Sequence, residues 1–165
     1  MFEDEIETKT PILFQHGLMD CSDAWVLNQS EQAPAFVAAR AGYDVWLGNL
    51  RGNRYSSKHE YLDPERNAEK FFDFDISNHH KYDLVAMIQL IKQTTGVPKL
   101  AYVGHSMGTT IFFRLAAENP SFIEDSISSF VGIGPVVVPT HAYAPVIKAV
   151  MPAQDFVYNM LHFAH

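Results

Sequence analysis

The sequence predicts an α/β fold built on a parallel sheet, and three observations carry that expectation. Short apolar runs alternate with segments of helical period in the order strand, helix, strand, helix, strand, helix, strand. The runs are apolar throughout, as strands covered on both faces read. The third observation is local. Lys99-Leu100-Ala101-Tyr102-Val103 leads into Gly104-His105-Ser106-Met107-Gly108 and passes straight into the helix-like Thr109 to Glu118. A strand, a sharp turn with serine at its apex and a helix present that serine to a substrate. Gly104 and Gly108 remove side chains where the turn brings strand and helix backbones together.

Taken in order, Pro11 to Gln15 reads as a buried strand running into the glycine turn His16-Gly17-Leu18-Met19. Asp20 to Gln32 reads as a long loop. Pro34 to Ala41 is a short helix with proline in its first turn and Gly42 just past its end. Tyr43 to Leu47 is the second strand, and the polar, aperiodic Leu50 to Phe74 a long ordered loop on the edge of the serine turn. From Asp75 to Thr95, Ile76, Tyr82, Val85, Ala86, Ile88, Leu90 and Ile91 recur at helical spacing, and Gly96 with Pro98 ends that helix. After the serine strand and its helix, Asn119-Pro120 is a stop, and Ser126 to Ile133 is a fourth strand closed by Gly134-Pro135. These limits divide the chain into an acidic segment 1–10, a core 11–138 and an apolar, aromatic stretch 139–165 that reads as the start of a cap.

At 165 residues, 47% hydrophobic and 19% charged, the chain has the composition of one globular domain. A net charge of −7 and the lack of a basic stripe exclude a nucleic-acid partner. Cys21 is the single cysteine, so no internal disulfide forms, and it reads as a small buried hydrophobe. No His, Asp and Glu cluster has metal-ligand spacing, so no metal or cofactor is expected. The start is acidic where a secretory leader is basic and then apolar, and no apolar run is long enough to form a transmembrane segment.

Five motifs in order carry a family resemblance: Phe14-Gln15-His16-Gly17-Leu18, Gly42 to Asn49 (GYDVWLGN), Arg51-Gly52-Asn53, Lys81-Tyr82-Asp83-Leu84 and Gly104 to Gly108. Together they resemble the acid lipases of the α/β-hydrolase fold, the group of gastric lipase, lysosomal acid lipase and steryl-ester hydrolases, from about Pro11 onward. Met107 departs from the glutamine that many relatives carry after the nucleophile; a backbone N–H is what matters there, so packing changes more than mechanism.

The resemblance implies a partial α/β-hydrolase fold: central parallel strands, flanking helices and the beginning of a cap. It implies a lipase of lipid metabolism acting on a neutral lipid ester, triacylglycerol or steryl ester, at a lipid–water interface, in the lysosome or outside the cell. Ser106 is then the nucleophile, and the backbone N–H groups of Leu18 and Met107 form the oxyanion hole. His16, Gly17, Gly104, His105 and Gly108 shape the two turns. His16 precedes the serine and so falls outside the order Ser, acid, His of this architecture; His105 is expected to be packed. His59, His79 and His80 read as solvated surface, and Arg51 and Asp83, charged residues inside the motifs, as held in a structural ion pair or hydrogen bond and not as catalytic groups. In full-length relatives the acid and base lie far downstream. Asp155 with His162 or His165 has the right order but no strand of its own, so the chain reads as the N-terminal part of a longer lipase, nearly inactive alone. Two alternatives stand: an inactive lipid- or partner-binding protein that keeps the turn as scaffold, and an esterase for small soluble esters.

Overall fold

The structure, a computed structural model, describes residues 9–137. The acidic residues 1–8 and residues 138–165, with the expected cap, Asp155, His162 and His165, lie outside the described residues.

Four strands, β1 (Pro11–Gln15), β2 (Asp44–Gly48), β3 (Leu100–His105) and β4 (Ile127–Ile133), form one parallel sheet in the order β2-β1-β3-β4. Leu13 pairs with Trp46 on one side and Tyr102 on the other, and Tyr102 with Phe130. Successive side chains leave a strand on opposite faces. Leu13, Leu100 and Tyr102 therefore point into one apolar cluster with Leu50, Leu84, Ile88, Ile91, Ile111, Phe112 and Leu115. Phe14 and Val103 point into the other, with Trp25 and Ala35.

The helices that cover these faces start and stop for local reasons. Helix α1 (Pro34–Arg40) begins on Pro34, whose missing N–H would have no intrahelical partner anyway. A short turn, α2 (Ala68–Phe71), interrupts the expected loop, and Phe71, Phe72 and Phe74 form an aromatic row that reaches His79 at 5.3 Å. Asp75 and Asn78 form a reciprocal cap at the head of α3 (Ile76–Asn78), Asp75 Oδ1 accepting from Ser77 N at 2.7 Å and Asn78 Oδ1 from Asp75 N at 2.9 Å. The backbone then makes a wide π turn, His79–Asp83, before α4 (Leu84–Thr95) runs on to Gly96, whose φ of 72° closes the helix in the left-handed region.

The π turn corrects the expectation for two histidines. His79 and His80 are buried, because the widened turn aims one at the neighbouring cleft and the other into the helix interface. His80 is fully enclosed, with Nδ1 3.0 Å from Ile76 O. Its Nε2 lies 3.1 Å from Glu118 Oε2 on α5 (Met107–Glu118), off the alignment of a hydrogen bond. His59 is exposed, its ring edge-on to Tyr61.

Asn119-Pro120 is a second correction: it starts a helix instead of only stopping one. Asn119 Oδ1 accepts from Phe122 N at 3.2 Å, and Pro120 is the first residue of α6 (Pro120–Ser126). Strand β4 consequently begins at Ile127. It is the edge of the described sheet, and Val131 is 52% exposed.

Candidate active site

Ser106 sits between the end of β3 and the start of α5 with φ 50° and ψ −115°, a conformation that costs a side-chain-bearing residue about 1–3 kcal/mol. Close packing holds it there. A Cβ placed on Gly104 would lie 2.9 Å from Gly108 C, and one on Gly108 would lie 2.6 Å from Gln15 O and 2.9 Å from His16 O. Both obstacles are backbone, so neither position has room for a methyl group. The buried Tyr102 hydroxyl donates to Gly108 O at 2.7 Å, and burial pushes its ionisation far above the ordinary tyrosine range. Ser106 N donates to Ile133 O at 3.0 Å, and Thr109 Oγ1 donates to Ser106 O at 2.6 Å while accepting from Val136 N at 2.9 Å. The turn is thereby tied to β1, to β4 and to the segment leaving β4.

The loop after β1 lies directly against the serine. A Cβ on Gly17 would come within 3.2 Å of Ser106 Cβ and of His105 Nδ1. His105 is exposed, which corrects the expectation of a packed side chain: it is the last residue of β3, at the end of the sheet.

His16 is almost fully buried and fixes this loop. Leu50 N–H donates to His16 Nε2 at 3.2 Å, and an N–H group can only donate, so Nε2 is the acceptor and Nδ1 carries the proton. Nδ1–H then donates to Gly17 O at 2.8 Å. That carbonyl belongs to the same trans peptide plane as Leu18 N–H, which points the opposite way. Holding Gly17 O therefore aims the Leu18 N–H. Burial lowers the His16 pKa from its ordinary value, outweighing the Gly17 hydrogen bond and Asp20, which act to raise it.

A cleft of about 470 Å³ opens beside this turn, with Gly17, Leu18, Met107, Leu50, Phe74 and Cys21 among its walls. Cys21 is half-buried on that wall, which corrects its reading as a small buried hydrophobe: it follows the loop after β1 and lies on no strand. Leu18 is 69% and Met19 95% exposed at the rim. Arg51 and His79 also face the cleft, and both hold Asp83. Arg51 Nε and one terminal nitrogen each lie 2.7 Å from Asp83 Oδ1, Arg51 N lies 3.1 Å from Oδ2, and His79 Nδ1 lies 3.0 Å from Oδ2. Burial acts to raise the Asp83 carboxyl, but the hydrogen bonds from His79 and Arg51 together outweigh it and hold the group below its ordinary value. The structural role expected of Arg51 and Asp83 takes the form of an ion pair between the two, a pairing that the sequence did not disclose, and His79 joins it.

Among the described residues nothing hydrogen-bonds to Ser106 Oγ. His16 has both ring nitrogens engaged, and no hydrogen bond joins His79 to Ser106. No group of three or more potential metal ligands gathers among the described residues.

Residues 10–162 match a family described as the alpha/beta hydrolase fold. Gastric triacylglycerol lipase of Rattus norvegicus is 41% identical over 141 residues, covering 85% of this chain and 35% of that protein. Lipase 1 of Drosophila melanogaster is 44% identical over 127 residues, 77% of this chain and 28% of that protein. Lipase member K of Homo sapiens is 40% identical over 140 residues, 85% and 34%. The chain spans about a third of the length of these relatives. Among solved structures, a protein of Sulfolobus solfataricus superposes with TM-score 0.60 at 15% identity, over 83% of this chain and 40% of that one, a likeness of fold alone.

Proposed function

The chain belongs to the α/β-hydrolase fold family, and from that premise we propose that it carries the nucleophile and oxyanion hole of a lipase acting on neutral lipid esters. The observation that carries the reading is Ser106 itself: a strained serine at the head of α5, with Gly17 closing the Leu18 loop against its Cβ. The relative named a gastric triacylglycerol lipase supports triacylglycerol as the substrate class, and steryl ester is the other ester that the family resemblance implies.

In this mechanism Ser106 Oγ attacks the ester carbonyl while a base removes its proton. Leu18 N–H and Met107 N–H receive the negative charge that develops on the carbonyl oxygen. The bond to the alcohol breaks as the alcohol takes up the proton, and water then cleaves the acyl-serine to release the fatty acid. Two preorganised donors matter because each contributes roughly 10²–10³-fold in rate. In this reading the acid and base come from outside residues 9–137, in keeping with the lack of a hydrogen bond from any described imidazole to Ser106. The exposed apolar rim of Leu18 and Met19 suits contact with a lipid surface. The inactive-scaffold reading is the weaker one, because a binding module has no use for a serine held in a costly conformation.

A second reading rests on one observation: His79, oriented by Asp83 at 3.0 Å, has the pairing of a base and its carboxylate on the wall of the same cleft.

Acyl trapping tests both. The chain is incubated with p-nitrophenyl esters of short and long acyl chains, with and without added imidazole, and the Ser106 peptide is weighed by mass spectrometry. Acylation of Ser106 that rises with imidazole, is absent in Ser106→Ala and favours long chains supports the first reading. Acylation independent of imidazole and lost in His79→Gln supports the second. No acyl-Ser106 under any condition in a folded chain contradicts the nucleophile assignment.

A further inference from the structure

We propose that Asp83, on the π turn, is a positioning residue for the oxyanion donor Leu18, acting through the backbone of Leu50-Arg51 and the ring of His16. The inference rests on the reading of Leu18 N–H as an oxyanion donor and adds the residue that sets its direction from across the cleft.

The connection is a series of short polar contacts. Asp83 Oδ2 accepts from Arg51 N at 3.1 Å, which fixes the backbone just after β2. The adjacent Leu50 N–H is then presented to His16 Nε2 at 3.2 Å. That contact makes Nε2 the acceptor and leaves the proton on Nδ1, which donates to Gly17 O at 2.8 Å and so aims Leu18 N–H. Asn53 closes the loop from the other side: its Nδ2 is 3.2 Å from His16 Nε2 and donates to Asn49 Oδ1 at 2.8 Å. Three directional hydrogen bonds between groups that are buried or partly so, where solvent competes least, are joined by the Leu50-Arg51 backbone and the Gly17–Leu18 peptide.

The π turn explains why this acid reaches the loop. A π turn inserts an extra residue into a helix and re-aims the side chains around it, and such turns recur at functional sites. Here it lets Asp83 meet Arg51 while His79, one helical turn earlier, steadies the same carboxylate and His80 enters the core. The side chain of Arg51 is not the connecting element. Its guanidinium pairs with Oδ1, whereas the link to His16 runs through the Arg51 main-chain N–H on Oδ2.

That distinction gives the test. Two conservative variants of the chain, Asp83→Asn and Arg51→Gln, are compared with wild type by ¹⁵N NMR of the His16 ring and by the Leu18 and Arg51 amide signals. In wild type the His16 nitrogens show one fixed tautomer, proton on Nδ1. In Asp83→Asn a single amide oxygen replaces the two carboxylate oxygens that served Arg51 and His79. Arg51 amide exchange is then expected to accelerate about tenfold or more, with His16 drifting toward a mixture of tautomers and the Leu18 amide shifting. Arg51→Gln keeps its main-chain N–H on Asp83 and is expected to keep the wild-type His16 pattern. An unchanged His16 ring and Leu18 amide in Asp83→Asn overturns the proposal. So does an equal loss in Arg51→Gln, which marks a general weakening of the loop by loss of the ion pair. Ser106 acylation is read separately: its absence in wild type removes the nucleophile assignment while the NMR comparison still decides whether Asp83 sets the Leu18 peptide.

Discussion

His16 shows how much one side chain determines, since its two ring nitrogens choose a tautomer, a loop position and the direction of one peptide N–H. Its pKa is lower in the folded chain than the ordinary 6.5, chiefly through burial, and this sets a pH dependence. Below about 6.5 the unfolded chain takes a proton that the folded chain refuses, so the contribution is complete above that value and is lost as pH falls through it. Thermal melts are expected to show Tm falling between about pH 7.5 and pH 5.5, and falling less in His16→Gln. Asp83 acts in a lower window: its carboxyl is held below 3.8, so its contribution persists until pH drops below that value. Ser106 yields the opposite kind of prediction. At φ 50° a glycine carries no strain, so Ser106→Gly is expected to raise stability by about 1 kcal/mol in denaturant unfolding while abolishing acylation. A serine that can be replaced without such a gain is not strained, and the carrying observation would fail.

At the scale of elements, the elbow depends on backbone approaching backbone. Gly108→Ala places a methyl 2.6 Å from Gln15 O, and neither β1 nor α5 can yield without moving Ser106, so a loss of about 1–3 kcal/mol and of acylation together is expected. Tyr102→Phe removes only the hydroxyl that donates to Gly108 O and is expected to cost about 1 kcal/mol, measured by urea unfolding. Much of this level was legible in the sequence. Apolar runs marked the strands to within a residue or two, and Pro34 and Gly96 marked helix ends. Asn119-Pro120 was read as a stop, although the same pair caps and opens α6, because a proline that cannot continue one helix is well placed to begin the next. The π turn was invisible, since widening one turn leaves the apolar period of α4 intact while re-aiming His79, His80 and Asp83.

Across the whole molecule, the parallel order β2-β1-β3-β4 brings the ends of β1 and β3 together, and with them the Leu18 loop and Ser106. That convergence was legible because both motifs follow apolar strands. The polar lattice behind it was not: Leu50, Asn53 and Arg51 reach His16 and Asp83 across 32 to 37 residues of chain, through hydrogen bonds that leave no periodic trace. On the function proposed above, this lattice presents Ser106 as a nucleophile whose base lies outside residues 9–137. The direct measurement is reaction of the folded 165-residue chain with a fluorophosphonate probe, beside Ser106→Ala and a heat-denatured sample, with added imidazole titrated in. Modification is expected at Ser106 alone, in folded wild type alone, with a rate that climbs with imidazole. Equal modification of Ser106→Ala or of denatured chain, or none at any imidazole concentration, would contradict it.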